Sequence, residues 1–170
     1  LNIVIVGGGA TGIEVAGILS EMKKFVLPND YPDMPSGLMH IYLIEAGPRL
    51  LAGMSEESSA HAEQFLREMG VNILLNKRVV DYRDHKVVLE DGTEIATRTF
   101  IWVSGVTGVT IGNLDASLIG RGGRIKVDSF NRVEGMNNVF AIGDQCIQVA
   151  DEDYPNGHPQ LAQVAIQQGE

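Results

Sequence analysis

The opening dozen residues constrain the chain more than any others. Leu1-Asn2-Ile3-Val4-Ile5-Val6 is a short apolar, β-branched run that stops at Gly7-Gly8-Gly9. A run of this kind without polar alternation is a strand buried on both faces, and such strands belong to parallel sheets covered by helices. From Thr11 to about Val26 the side chains Ile13, Ala16, Gly17, Leu19 and Ser20 are spaced for a helix lying close on that sheet. Gly7-x-Gly9-x-x-Gly12 therefore sits between a strand and a helix, the context that turns a weak pattern into an informative one. Gly7 permits the tight turn, Gly9 lets backbone approach a diphosphate, and Gly12 lets the helix pack against the strand. The backbone from Gly8 through Ala10 and Thr11 to Gly12 becomes the expected diphosphate cradle, aided by the helix dipole.

The segments that follow extend this into an α/β fold. Pro28, Pro32 and Pro35 argue against regular structure before a second strand at Met39–Glu45. Ser55 is placed to cap a helix whose first turn carries Glu56 and Glu57 and whose apolar stripe is Ala62, Phe65, Leu66 and Met69. A third parallel strand is expected at Val71–Leu75. Three short antiparallel strands then follow at Val79–Tyr82, Lys86–Leu89 and Glu94–Ala96, the last two joined at Asp91-Gly92. Thr99–Val103 returns to the buried parallel type. The expected organisation is a Rossmann-like NAD-binding domain over residues 1–105, with a three-stranded antiparallel crossover in place of a helix, and a second, incomplete domain over 106–170. In that second part Arg124–Val127 and Asn138–Asp144 read as strands, the latter buried, with a helix from about Gln160.

Glu45 stands at the end of the second strand, where a carboxylate can accept both hydroxyls of an adenosine ribose and repel a 2′-phosphate. Its distance from the glycines exceeds the usual gap of about 20 residues, which the proline-rich insertion accounts for. NADH is thus expected over NADPH, although Arg49 lies near enough in sequence to assist a 2′-phosphate. Thr11-x-x-Glu14 has two readings of equal standing, a capping box and a functional carboxylate.

Composition removes other function classes. A formal net charge of −9 opposes a phosphate-neutralising surface, so no nucleic-acid partner is expected. His40, His61, His85 and His158 are too scattered for a metal site. The single cysteine, Cys146, cannot form an intrachain disulfide and fits a reduced, cytoplasmic setting, and no apolar run is long enough to span a bilayer. Leu1 opens directly on a strand pattern and Leu161–Glu170 still reads as helix, so the chain is expected to be a piece of a longer protein.

Four segments, Ile5–Glu14, Ile101–Val106, Asn138–Asp144 and Pro159–Gly169, together resemble the flavoprotein reductases with two dinucleotide-binding domains. Within that family they look most like the type II, non-proton-pumping NADH:quinone oxidoreductases. The resemblance covers essentially the whole chain, and its most specific element is Ala162-Gln163-x-Ala165-x-Gln167-Gln168. It implies NADH on Gly7–Gly12 with its nicotinamide near Gly105 and Val106, and a flavin ribitol on Gly143 and Asp144 with Ala162 nearby. It further implies Glu14, Gln163 and Gln167 on the side that handles quinone and protons. Read without the resemblance, Gln163 and Gln167 are an i,i+4 polar pair on a surface helix.

The family also carries a first glycine loop for FAD and a closing segment that reaches the membrane, neither of which is in this sequence. FAD is accordingly expected in the full-length parent only, a protein peripheral on the cytoplasmic face of the membrane. The isolated chain is expected to bind NADH without turnover and to self-associate. Alternatives are a reductase of the same fold using a ferredoxin, disulfide or oxygen acceptor, and a non-enzymatic NAD(H)-sensing module.

Overall fold

The β-branched run at the start forms strand β1, Asn2–Val6, with Val4 and Ile5 fully buried. Both faces of this strand are covered, as its uninterrupted apolar character requires. In the computed structural model, which describes residues 1–33, 36–148, 150–151 and 153–170, the chain divides into two units, Leu1–Ser104 and Gly105–Glu170.

The first unit is built on a four-stranded parallel sheet, β1 with β2 (His40–Ile44), β3 (Val71–Leu74) and β7 (Thr99–Trp102), in the order β3-β2-β1-β7. One face is covered by helices α1 (Ala10–Glu21) and α3 (Glu56–Glu68), through a core that joins Ile5, Ala16, Leu43, Leu50, Leu66 and Ile73. On α1 the buried positions are Gly12, Ala16 and Ser20, a four-residue repeat of small side chains that lets the helix axis approach the sheet. Ser55 caps α3 by accepting from the Ser58 N–H at 3.1 Å. The other face is covered by an antiparallel meander, β4 (Val79–Arg83), β5 (Lys86–Leu89) and β6 (Glu94–Ala96), whose Val87 and Leu89 pack on Val4, Val6 and Ile44. The Asp91-Gly92 turn joins β5 to β6 with Gly92 at φ +84°. This is the expected Rossmann-like arrangement, with three antiparallel strands where a crossover helix would stand.

Two expectations for these elements need correction. Pro28 does not end the helical region: α1 runs on through a π-helical stretch, Met22–Val26, into a short helix α2, Leu27–Asp30. The wider π turn, with the Leu27 N–H donating to the Met22 carbonyl, brings the chain to Pro28 already in helical geometry, and Pro28 falls at the helix start, where its missing N–H costs nothing. Asn29 Nδ2 then donates to the Phe25 carbonyl at 2.7 Å. The turn expected at Pro35 lies outside the described residues. On α3, Leu66 is buried and Ala62 and Met69 are half-buried as the expected stripe requires, but Phe65 is 61% exposed and Ser59 takes a buried place instead.

The second unit holds β8 (Ile125–Val127) paired in parallel with β9 (Cys146–Gln148), and helix α4, Ala162–Gly169. Its small core is Ile125, Val127, Val133 and Cys146, with Leu114, Leu118 and Met136 against it. The buried strand expected at Asn138–Asp144 is not formed. Phe140 makes one isolated bridge to Arg132, and Val139, Phe140 and Ile142 are 42, 58 and 46% exposed. A ladder needs a continuous partner, and the neighbouring segment offers only the Val133-to-Val139 and Ala141-to-Asn131 bonds.

Candidate functional site

Because β2 and β7 flank β1 on opposite sides and both run parallel to it, the chain leaves β1 at the point where the sheet order reverses. A crevice at the carboxyl ends of the strands is the usual consequence. Here it is a cleft of about 100 Å³ whose lining includes Gly7, Glu45, Lys77, Arg78, Trp102 and Ser104.

The glycines do distinct work. Gly7, at φ +120°, donates to the Ile44 carbonyl at 2.9 Å, and a Cβ on it would lie 3.0 Å from the backbone of Val103 and Ser104. A Cβ on Gly12 would fall 1.8 Å from the Gly7 carbonyl oxygen, so the first turn of α1 can sit on the strand end only without a side chain there. Gly9 is the helix N-cap and a Cβ on it would meet nothing within 4 Å. Gly9, Ala10 and Thr11 are exposed, and the first amides of any helix lack intrahelical acceptors. They form an open cradle at the positive end of the helix dipole, suited to a diphosphate.

The capping-box reading of Thr11 and Glu14 does not hold: α1 starts at Ala10, its N-cap Gly9 has no side-chain cap, and both residues lie inside the helix. Glu14 is exposed on the first turns of α1.

Glu45 is held more firmly than its sequence position suggests. One carboxylate oxygen accepts from the Gly8 N–H at 2.6 Å and the other from the Gly47 N–H at 2.7 Å, with the group half-buried. A Cβ on Gly8 would stand 2.9 Å from that carboxylate and 2.7 Å from Leu50 Cδ2, so the middle glycine is also required. The Gly8 amide is thus committed to Glu45, which leaves the diphosphate to the amides that follow. Arg49 turns away from this position: its guanidinium donates to the carbonyls of Leu51, Ala52 and Met54 at 2.8–3.3 Å. The cation nearest in sequence is therefore occupied by a loop.

Lys77 and Arg78 at the cleft escaped the sequence reading. They come three and four residues after the end of β3 and so lie beyond the carboxyl end of a parallel strand, a position the topology rule would have flagged. Lys77 pairs with Asp91, holding that carboxyl well below the usual range, and Arg78 lies 3.8 Å from Glu90.

In the second unit Gly105 and Gly143 have positive φ, +82° and +64°. Val106 and Asp144 are exposed, and the Asp144 carboxylate has no hydrogen-bonding or ionic partner among the described residues. Ala162 begins α4, on which Gln163 and Gln167 are exposed while Gln168 is half-buried. The structure thus brings Gly7–Gly12 and Glu45 together in the first unit, and sets Gly143, Asp144 and α4 within the second.

The glycine loop at the sheet's switch point and the braced acid on the adjacent strand define the class, a dinucleotide-binding α/β protein. Comparison with known proteins carries this further: the pyridine nucleotide-disulphide oxidoreductase profile matches residues 1–169. The chain belongs to that family. It is 33% identical to the type II NADH:quinone oxidoreductase of Haemophilus influenzae over 145 residues, 85% of this chain and 33% of that protein. It is 32% identical to the type II NADH:quinone oxidoreductase NdhA of Mycobacterium tuberculosis over 176 residues, 98% of this chain and 36% of that one. The structure of NDH2 from Plasmodium falciparum in complex with NADH superposes with a TM-score of 0.73 at 25% identity, over 87% of this chain and 32% of that one. The chain spans about a third of the length of the curated relatives it matches.

Proposed function

We propose that this chain is the NADH-binding part of an FAD-dependent NADH:quinone oxidoreductase. The observation that carries the proposal is the braced Glu45 carboxylate beside an open Gly9–Thr11 amide cradle at the sheet's switch point. The amides of Gly9, Ala10, Thr11 and Gly12 hold the diphosphate. Glu45 keeps unused lone pairs on both oxygens and accepts the ribose hydroxyls, while its charge opposes a 2′-phosphate that Arg49 is not free to neutralise. Gly105 and Val106 border the nicotinamide.

The residues also fit a flavin. The turn at Gly143 and the exposed Asp144 carboxylate, without a partner among the described residues, suit a polyol chain of hydroxyl donors, with Ala162 at the start of α4. FAD, when bound, relays two electrons from NADH to the quinone; the protein orients the reactants and excludes water. Glu14, Gln163 and Gln167 serve the quinone and its protons. The parent enzyme is peripheral to the membrane, and among the described residues no helix is long and apolar enough to cross one. Exposed Val139, Phe140 and Ile142 favour self-association of the chain alone, which light scattering checks.

The test is acceptor profiling of the full-length, flavin-loaded protein with NADH and NADPH. Turnover is expected with NADH and a quinone, and not with a disulfide or ferredoxin. Equal rates with NADPH remove the role of Glu45, and turnover with a disulfide but no quinone overturns the acceptor.

A further inference from the structure

Helix α4 carries three glutamines, and the one to which the motif assigned no role, Gln168, makes the contacts. Gln168 Oε1 accepts from the Gly143 N–H at 2.7 Å, and the Cys146 thiol lies 3.6 Å from that oxygen and 3.5 Å from the Gly143 carbonyl oxygen. Its carbonyl accepts from Asn131 Nδ2 at 3.3 Å. A Cβ on Gly143 would lie 3.2 Å from Ala165 Cβ, so the turn and the helix are already in close contact. Gln163 and Gln167, by contrast, are exposed.

We propose that Gln168 is a positioning residue: it latches α4 onto the Gly143–Asp144 turn and sets where Gln163 and Gln167 stand relative to the Asp144 carboxylate. The latch has an economy of parts. Gly143 opens the single turn Gly143–Gln145, so its amide has no acceptor within that turn and needs one from elsewhere. One side-chain oxygen from the last turn of α4 supplies it. The same oxygen meets the thiol of Cys146, the fully buried first residue of β9. The helix is therefore tied to the turn and set against the small core of its unit through Cys146. Helix α4 is eight residues long, has no side-chain cap and has no buried residue, so little else fixes its rotation. An error in that rotation would move Gln163 and Gln167 together.

The latch itself follows from the hydrogen bonds; its consequence for the reaction rests on the proposed flavin and quinone roles, and the test separates the two. Cys146 is the only cysteine of the chain and reports on the latch directly. In the native, flavin-loaded protein, Gln168→Leu removes the acceptor, whereas Gln168→Glu keeps an oxygen that can accept from Gly143. Alkylation at Cys146, followed by peptide mass spectrometry, is expected to quicken by roughly two- to tenfold in the Leu variant, the change in local opening expected for one lost hydrogen bond. The Glu variant is expected to remain within about twofold of the parent. The flavin absorbance band and midpoint potential, and KM for quinone, should shift in the Leu variant and return in the Glu variant, with KM for NADH unmoved. Should Gln168→Leu fail to fold, Gln168→Asn, one methylene too short to reach Gly143, takes its place with the same readouts.

Unchanged alkylation in the Leu or Asn variant, or a Glu variant as reactive as Leu, overturns the latch. Faster alkylation with an unmoved flavin spectrum, potential and quinone KM keeps the latch but overturns its role in positioning for the reaction.

Discussion

Replacing Glu45 should destabilise the protein before any nucleotide is added. The carboxylate closes two backbone N–H groups, of Gly8 at 2.6 Å and of Gly47 at 2.7 Å, and thereby ties the glycine loop to the loop after β2. A hydrogen bond to a charged acceptor contributes about 1.5–3 kcal/mol when well formed. Both are half-buried, so water recovers part of the loss, and the expected cost of Glu45→Ala is roughly 2–3 kcal/mol. For a unit of this size that corresponds to a fall of about 10–15 °C in Tm. Glu45→Gln should do little better, because its amide nitrogen presents a donor to one of two donors. Thermal melts and urea unfolding of the nucleotide-free protein, with m compared between variants, measure the effect. A Tm within about 2 °C of the parent, with NADH affinity lost, would refute the reasoning, since Glu45 would then serve the ribose without bracing the loop.

Other outcomes follow from the same contacts. Gly9→Val should abolish NADH binding by calorimetry while leaving the thermal melt nearly unchanged, because the space at Gly9 is open; Gly12→Ala, with its Cβ 1.8 Å from the Gly7 carbonyl, should instead prevent folding. Leu66→Ala should cost about 2–4 kcal/mol in urea unfolding and Phe65→Ala less than about 1 kcal/mol, since Leu66 is 2% exposed and Phe65 61%. Burial pushes the Cys146 thiol up, and bonding to Gln168 only partly offsets this. With the folded value above the unfolded one, the contribution is complete below about pH 8.5 and lost as pH rises through the folded value. The Cys146→Ala variant should therefore lose less stability between pH 8 and 10 than the parent in paired melts.

The fold was legible where local chemistry leaves little choice. A run such as Ile3–Val6 ended by glycines has few alternatives to a buried parallel strand, and Asp91-Gly92 between two short apolar runs has few alternatives to a hairpin. Ser55 before Glu56 and Glu57 marks a helix start, through a capping hydroxyl and two anions at the positive end of the helix dipole. Phe65 and Leu66 were harder, because adjacent apolar residues on a helix point about 100° apart and only the facing sheet decides between them. Pro28 was misjudged because the π stretch ahead of it depends on how the preceding turns pack. Asn138–Ile142 looks buried by composition, but burial belongs to neighbours, and the pairing beside it is a single bridge. At the site, the type of residue at Glu45 was readable, while its grip on Gly8 and Gly47 was not, since Gly47 carries no side-chain signal. Gln168 was visible as the last residue of the motif, but its role was not: nothing in Gln167-Gln168 says which amide turns inward.

The order β3-β2-β1-β7 also has a consequence for how the first unit assembles. Within this unit β1 waits for β7: Ile3 pairs with Thr99 and Val6 with Trp102, while Thr97 Oγ1 reaches the Asn2 carbonyl at 2.7 Å and Asn2 Nδ2 the Ala96 carbonyl at 2.7 Å. β1, β2 and β3 can associate as they leave the ribosome, yet one edge of β1 stays open until nearly the whole unit has been synthesised. The meander shortens that wait, because its tight hairpins fold locally and carry the chain back from β3, with the Thr97 N–H bonded to the His85 carbonyl at 2.8 Å just before β7 begins. An antiparallel detour is thus a kinetic device as well as a cover: it converts a long loop closure into a few short ones. Loosening the Asp84-His85 or Asp91-Gly92 turn should slow folding, with the edge of β1 exposed for longer.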